Sequence, residues 1–200
     1  MIGTPHEVRR ATRADSRQLA VALARAFHDD PVMAWFFPPA ERRVAQNRRF
    51  FAQRLRQILP QEETYTVEGH GGAALWTVPD GWQLSNLQTA RMAVALAPAI
   101  GRRVTTILSG VEMIEHAHPE APHYYLAALG TQPELQGQGV GSALIQPVLD
   151  TCDRNEVPAY LESSKERNIG FYARHGFRVT GEVHLPKGPT VWSMWREPRA

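Results

Sequence analysis

The sequence predicts a mixed α/β fold: a central sheet surrounded by helices, with a helical insertion just before the central strand. Three observations carry this. Apolar residues recur with a period of two in some segments and of about 3.6 in others, and the two kinds of segment alternate along the chain. One stretch, YYLAALGTQPELQGQGVGSALIQPVLD (124–150), also reads as a buried strand, a glycine-rich loop and a helix in direct succession. The predicted order is β-α-α-β-β-α-α-β-α-β-α-β-β, with its parallel step at the glycine loop.

A chain of 200 residues with 43% apolar content fits a single domain over 1–200 and can bury a sizeable core. Its formal charge of +2 is near neutral and its basic residues are dispersed, which argues against nucleic acid as a partner. The one cysteine, Cys152, excludes an internal disulfide and a cysteine-rich metal site. The opening MIGTPHEVRRATRAD lacks the apolar core of a signal peptide, and no run approaches the ~20 apolar residues of a membrane span. No membrane partner is predicted, and a cytoplasmic, reducing setting is the default.

Glu7 to Ala11 can form a first strand, after which Thr12 and Asp15 have capping-box spacing. Leu19, Ala22, Leu23, Ala26 and Phe27 then form the apolar stripe of a helix ending near His28. The linker HDDPVMAWFFPP joins Asp29 and Asp30 to Trp35, Phe36 and Phe37 between two proline sites. It is either a loop that plugs the core or a wall facing a substrate. A helix from about Ala40 to Leu59 turns Phe51, Leu55, Ile58 and Leu59 inward and its arginines outward.

Glu63–His70 and Gly72–Val78 read as a pair of strands joined through Gly69, Gly71 and Gly72. The inserted helices follow, the first with Leu84, Leu87, Arg91 and Val94 along one side, the second, after Pro98 and Gly101, with Val104, Ile107, Leu108, Val111 and Ile114. The connection HAHPEAPH carries His116, His118 and His123. Without acidic or cysteine ligands at a defined spacing, these histidines predict no metal.

The strand from His123 to Thr131 is apolar almost throughout, as for a strand covered on both faces. The helix after the loop places Leu144, Ile145, Val148, Leu149 and Cys152 on a common face, and Pro147 predicts a kink or break within it. Strand Ala159–Ser163, a short helix Asn168–His175 stopped by Gly176, strand Phe177–Val183 and a closing strand Thr190–Arg196 complete the chain.

Gln136, Gly137, Gly139 and Gly141 sit where strand passes into helix, so backbone amides and the positive end of a helix dipole converge on one point. This is an anion site, suited to a phosphate or pyrophosphate. A P-loop would need lysine where Gly141-Ser142-Ala143 stands. A dinucleotide fold would put this unit early in several β-α repeats. Here only about sixty residues follow, which is too few. Cys152 could in principle carry an acyl group, but its apolar face makes it a core residue.

Gln136-Gly137-Gln138-Gly139-Val140-Gly141 fits Gln/Arg-x-x-Gly-x-Gly/Ala at every fixed position, and ESSKERNIGFYARHGFRVTGEV supplies a second signature in the correct order. On these motifs the chain resembles the GNAT superfamily of acyl-CoA-dependent N-acetyltransferases. From Val8 to Pro198, in QGQGVGSA, VPAYLESS and PKGPTVWSMWREP, it further resembles puromycin N-acetyltransferase and its relatives. The resemblance implies a GNAT-type mixed central sheet and direct acetyl transfer from acetyl-CoA to a small-molecule amine in a ternary complex. A monomer or homodimer is expected. An aminonucleoside or antibiotic-like amine is one candidate acceptor, but the acceptor-side segments diverge from the puromycin enzyme more than the cofactor side does, so substrate identity does not carry over.

It implies that the backbone of Leu129, Gly130 and Thr131 pairs with the pantetheine arm. The amides from Gly137 through Gln138, Gly139, Val140 and Gly141 to Ser142 would hold the pyrophosphate, next to Gln136. Asn168 would bond the arm, and Tyr172, one helical turn later, would share its face and protonate the departing thiolate. Glu162, at a strand end, is the first candidate base, with His118 and His123 as the other titratable candidates. Asp29, Asp30, Trp35, Phe36 and His123 are the candidate acceptor contacts, by charge or by stacking. A non-catalytic acyl-CoA sensor or partner-binding module is the alternative, against which Tyr172 argues.

Overall fold

The computed structural model describes residues 7–199. It contains β1 (Val8–Arg10), α1 (Ser16–Ala26), α2 (Pro31–Phe36), α3 (Ala40–Ile58), β2 (Thr64–Val67), β3 (Gly72–Thr77), α4 (Asn86–Ile100) and α5 (Val104–Ala117). These are followed by β4 (Tyr124–Thr131), α6 (Val140–Arg154), β5 (Ala159–Ser163), α7 (Ile169–Arg174), β6 (Arg178–His184) and β7 (Thr190–Arg196). One seven-stranded sheet runs β1-β2-β3-β4-β5-β7-β6. Only β4 and β5 pair in parallel, across the crossover that contains the glycine loop and α6. The mixed α/β class and its parallel step agree with the sequence reading. The last strand does not lie at an edge, however: β7 inserts between β5 and β6.

The sheet is covered on both faces. Tyr124 and Leu126 of β4 and Ala159 and Leu161 of β5 pack beneath Leu144, Ile145, Val148, Leu149 and Cys152 of α6. Leu19 and Leu23 of α1 and Phe51, Leu55 and Ile58 of α3 pack with Ala73 and Leu75 of β3 on the opposite face. Since side chains alternate along a strand, Tyr125, Tyr160 and Glu162 project toward the α3 side. Asp15 makes the predicted capping contact, its Oδ2 accepting from the Thr12 amide at 2.7 Å.

Four local expectations are corrected. The linker after α1 is not all loop: Asp30 caps α2 by accepting from the Val32 and Met33 amides, both at 3.0 Å, with Pro31 in the first helical turn. The strand expected over Glu63–His70 ends at Val67, and a 3-10 turn over Glu68–His70 makes the connection. Helix α6 continues through Pro147. The one amide lost there is outweighed by the burial of Leu144, Ile145, Val148 and Leu149, each at most 2% exposed. Finally, Leu87 and Val94 of α4 face outward, at 59% and 78% exposure, while Leu96 is buried. Leu96 packs with Met33 and Phe37, against which Met92 and Ile100 also lie.

Candidate active site

Strands β4 and β5 pair only from Tyr124–Leu126 to Ala159–Leu161 and then part. A register shift where β3 meets β4 leaves Ala127 as an extra residue at this point, and such a bulge bends and twists the strand. From Leu129 to Thr131, β4 is paired on its β3 side, with Gly72, Ala73 and Ala74. Its other edge borders the opening, where peptide groups can take an added extended chain.

The opening is a cleft of ≈ 480 Å³ lined by Leu129, Gly130, Thr131, Gln136, Gly137, Gly139, Val140, Gly141, Ser142, Asn168 and Tyr172, among others. The structure therefore brings together nearly all the residues expected to hold the cofactor. Gln138 turns to the protein, donating to the Glu134 carbonyl at 2.8 Å, and Gln136 donates to the Thr131 carbonyl at 3.1 Å. Gly139 caps α6 at φ +83°, with no atom within 4 Å of where a Cβ would stand. Its glycine answers a backbone requirement and not crowding. Ala143 makes the first helical bond, to the Gly139 carbonyl at 3.1 Å, so the first-turn amides of Val140, Gly141 and Ser142 stand at the cleft with the positive end of the helix dipole.

Lys165, Arg167 and Arg174 also line this cleft and were missed in the sequence reading. Their signal was present in the basic SKERN and YARHG segments, but only the fold turns them to one cavity. Arg174 lies over the Phe171 ring at 6.0 Å. Lys165 and Arg167 meet Asp29, at 2.6 and 3.0 Å, and these cations hold its carboxyl below the usual range. Asp30 is 4% exposed and accepts from the Ser164 hydroxyl, while burial raises its carboxyl. Tyr172 packs between Phe171 and Phe177, and burial, with the nearby Asp30, raises its phenol. A phenol so placed keeps its proton until a stronger base appears beside it.

The remaining candidates are distributed otherwise than expected. Trp35 is 6% exposed, its indole N–H donates to the Pro186 carbonyl at 3.1 Å, and it packs with Ile107, Val183, Leu185 and Val191. It is a core residue and not a stacking wall. Phe36 is half-buried between Trp35 and Phe50. Glu162, His118 and His123 do not line the cofactor cleft but meet on the α3 side of β4 and β5. His118 Nδ1 lies 3.3 Å from Glu162 Oε1, and its Nε2 lies 3.0 Å from His123 Nε2. His123 is 2% exposed with both ring nitrogens engaged, so it is no direct acceptor contact. Among the described residues no group of three or more His, Cys, Asp or Glu can hold a metal ion. No helix there is long and apolar enough to cross a membrane.

A sequence model described as the acetyltransferase (GNAT) family matches residues 59–177. Over 90% of its length the chain is 23% identical to an uncharacterized N-acetyltransferase of Schizosaccharomyces pombe, of which it covers 77%. A solved structure from Corynebacterium glutamicum, described as histone acetyltransferase HPA2 and related acetyltransferase, superposes with a TM-score of 0.75 at 25% identity, over 98% of each chain. The PaiA N-acetyltransferase of Thermoplasma acidophilum, solved in complex with coenzyme A, is similar in fold, with a TM-score of 0.61 at 12% identity over 97% of this chain and 99% of that one.

Proposed function

Because this chain belongs to the acetyltransferase (GNAT) family, whose members use acetyl-CoA, we propose that it transfers the acetyl group directly to the amine of a small molecule within a ternary complex. The observation that supports this most is the single cleft in which the free edge of β4, the leading amides of α6, Asn168 and Tyr172 converge. In this reading the pantetheine arm lies along Leu129–Thr131 as an added strand, an amide of which polarises the thioester carbonyl. The pyrophosphate rests on the amides from Gly137 to Ser142, and Lys165, Arg167 and Arg174 meet the remaining phosphate charge. The amine nitrogen attacks the carbonyl carbon, the C–S bond breaks, and Tyr172 gives its proton to the leaving thiolate while regaining one from the nitrogen.

Glu162 and His118 stand on the acceptor side as the proton-accepting groups. Phe36, Asp29 and Asp30 belong to the segment that borders the acceptor, with Asp29 exposed but its charge shared with Lys165 and Arg167. An aminonucleoside or antibiotic-like amine is the first acceptor to try, although the QGQGVGSA segment belongs to the cofactor side and does not specify the acceptor. We place the enzyme in the cytoplasm as a monomer or homodimer.

The test is mass-spectrometric screening of amines, including puromycin and amino acids, for gain of one acetyl group from acetyl-CoA. Replacing Tyr172 with Phe should lower turnover by about a hundredfold while CoA affinity stays nearly unchanged. Binding of acetyl-CoA with no acetylated product across the panel would instead favour a non-catalytic sensor.

A further inference from the structure

Behind the cleft, the connection after α5, the start of β4 and the end of β5 bring two histidines and a carboxylate into one buried chain. His123 Nδ1 lies 2.6 Å from the Ala121 carbonyl oxygen. A carbonyl can only accept, so this nitrogen carries a hydrogen. Burial, followed by the neighbouring His118, lowers the proton affinity of His123, so the ring is neutral and its Nε2 is an acceptor. His118 Nε2, 3.0 Å away, must then be the donor. That leaves His118 Nδ1 without a hydrogen when the ring is neutral, facing Glu162 Oε1 at 3.3 Å, which is also without one when ionised. Two lone pairs face each other, with room for one proton between them.

The rings are held in this order by their surroundings. Trp82 stacks on His118 with centroids 3.8 Å apart, and Tyr125 and Tyr160 meet its edge at 4.9 and 4.7 Å. His118 and His123 are 8% and 2% exposed, so neither can exchange its partner for water at no cost. The charged and titratable groups around the pair are Arg54 from α3, Tyr125 from β4, Tyr160 from β5 and Asp80 from the loop after β3.

We propose that Glu162 and His118 act as one single-proton acceptor for the ammonium of the incoming amine, and that His123 is a positioning residue that fixes the ring form of His118 on which this depends. This rests on the acetyltransferase reading. The step balances: an N–H bond of the ammonium breaks, its proton settles between Glu162 Oε1 and His118 Nδ1, and the neutral amine keeps its electron pair for the thioester. The proton leaves to solvent after turnover.

The sign of the consequence separates this role from simple packing. Without the acceptor at His123 Nε2, a neutral His118 can move its hydrogen to Nδ1 and donate to the Glu162 carboxylate. The proton-free pair is then stabilised and its appetite for a proton falls. In His123→Leu the acid limb of the kcat/KM–pH profile should move down by about one pH unit, the size of one hydrogen bond to a charged group, with CoA affinity retained as the check on folding. His123→Gln, which keeps an acceptor oxygen, should hold the limb near its wild-type position.

Nitrogen-15 shifts of the histidine rings at neutral pH read the ring form without any substrate. Neutral His118 should be protonated at Nε2 in the wild type and at Nδ1 in His123→Leu. A wild-type His118 protonated at Nδ1, or an acid limb unmoved in His123→Leu while kcat alone falls, overturns the proposal. If no amine is acetylated at all, it is the functional reading that fails, and the ring shifts still decide the proton order.

Discussion

Cys152 and Tyr172 lie in the same core beneath α6, yet burial gives them opposite chemical prospects. Cys152 is 0% exposed and burial pushes its thiol up to about 12, so at neutral pH it is neither a thiolate nor reachable. A covalent acyl-thiol route has no place to start, in keeping with direct transfer. Tyr172 is also buried and also made a weaker acid, but it borders the cleft, where a thiolate held against it can take its proton as the nitrogen's proton replaces it. We expect Cys152→Ala to lose about 1–2 kcal/mol of stability through a small cavity and to keep wild-type turnover. Alkylating reagents at pH 8 should leave the native thiol unlabelled. Labelling that proceeds together with loss of turnover would contradict this account. Trp35 makes the complementary point: an aromatic cluster beside two aspartates looked equally suited to a wall or a plug, and only the bond to the Pro186 carbonyl decides for the plug.

At the scale of elements, what was legible in the sequence is what is contiguous in it. The loop from Gln136 to Ser142, with Asn168 and Tyr172 downstream, needed no knowledge of distant contacts, because one strand-loop-helix unit and one short helix supply those residues. Lys165, Arg167 and Arg174 reach the cleft only because β5 parts from β4, which no local pattern announces. Likewise, the joining of Glu162 to His118 and His123 depends on the closeness of the start of β4 to β5. Helix α4 was misread because apolar residues surround it: Leu87 and Val94 form one helical stripe and Met92, Leu96 and Ile100 another, so periodicity alone cannot choose between them. Short α2 was visible in principle, since Asp30-Pro31 is a capping residue followed by a first-turn proline.

The glycine loop permits a sharper test. Gly139 and Gly170 both have open space where a Cβ would go, but Gly139 holds φ +83° and Gly170 lies within helix α7. Gly139→Ala should cost about 1–2 kcal/mol of backbone strain and weaken CoA binding about tenfold, as the amides shift to relieve it. Gly170→Ala should stabilise slightly, by roughly 0.5–1 kcal/mol. Titration calorimetry with CoA and thermal unfolding of the pair check both signs.

Over the whole molecule, the far end of the sheet is tied to the cofactor helix by one ion pair whose arginine is buried. Arg196 of β7 is 2% exposed and donates through both Nη atoms to Asp153 of α6, each at 2.7 Å, and through Nε to the His175 carbonyl at 2.9 Å. The bond from Arg196, with further help from the Arg199 amide, holds the Asp153 carboxyl below its usual range. Asp15, bonded by Arg9, the Thr12 amide and His70, is held lower still, at the opposite edge of the sheet. For a carboxyl whose folded pKa is depressed, the stabilisation is complete above its unfolded value of about 3.9 and is lost as pH falls through the folded value. Asp30 contributes with the opposite sign, because burial raises its carboxyl. Protonating it as pH falls relieves a penalty, and this offsets part of the acid loss. Urea unfolding should therefore show stability declining gently below about pH 6.5, where His123 and His175, whose proton affinity burial lowers, take up protons first in the unfolded chain, and more steeply below about 4. Asp153→Asn should cost about 3 kcal/mol at pH 7, since Arg196 is left buried without its counter-charge. It should also flatten the decline below pH 4, because one of the depressed carboxyls no longer titrates. A variant that lost stability at pH 7 but kept the full wild-type acid slope would show that the other depressed carboxyls govern acid unfolding and that the Arg196 pair is a packing contact only.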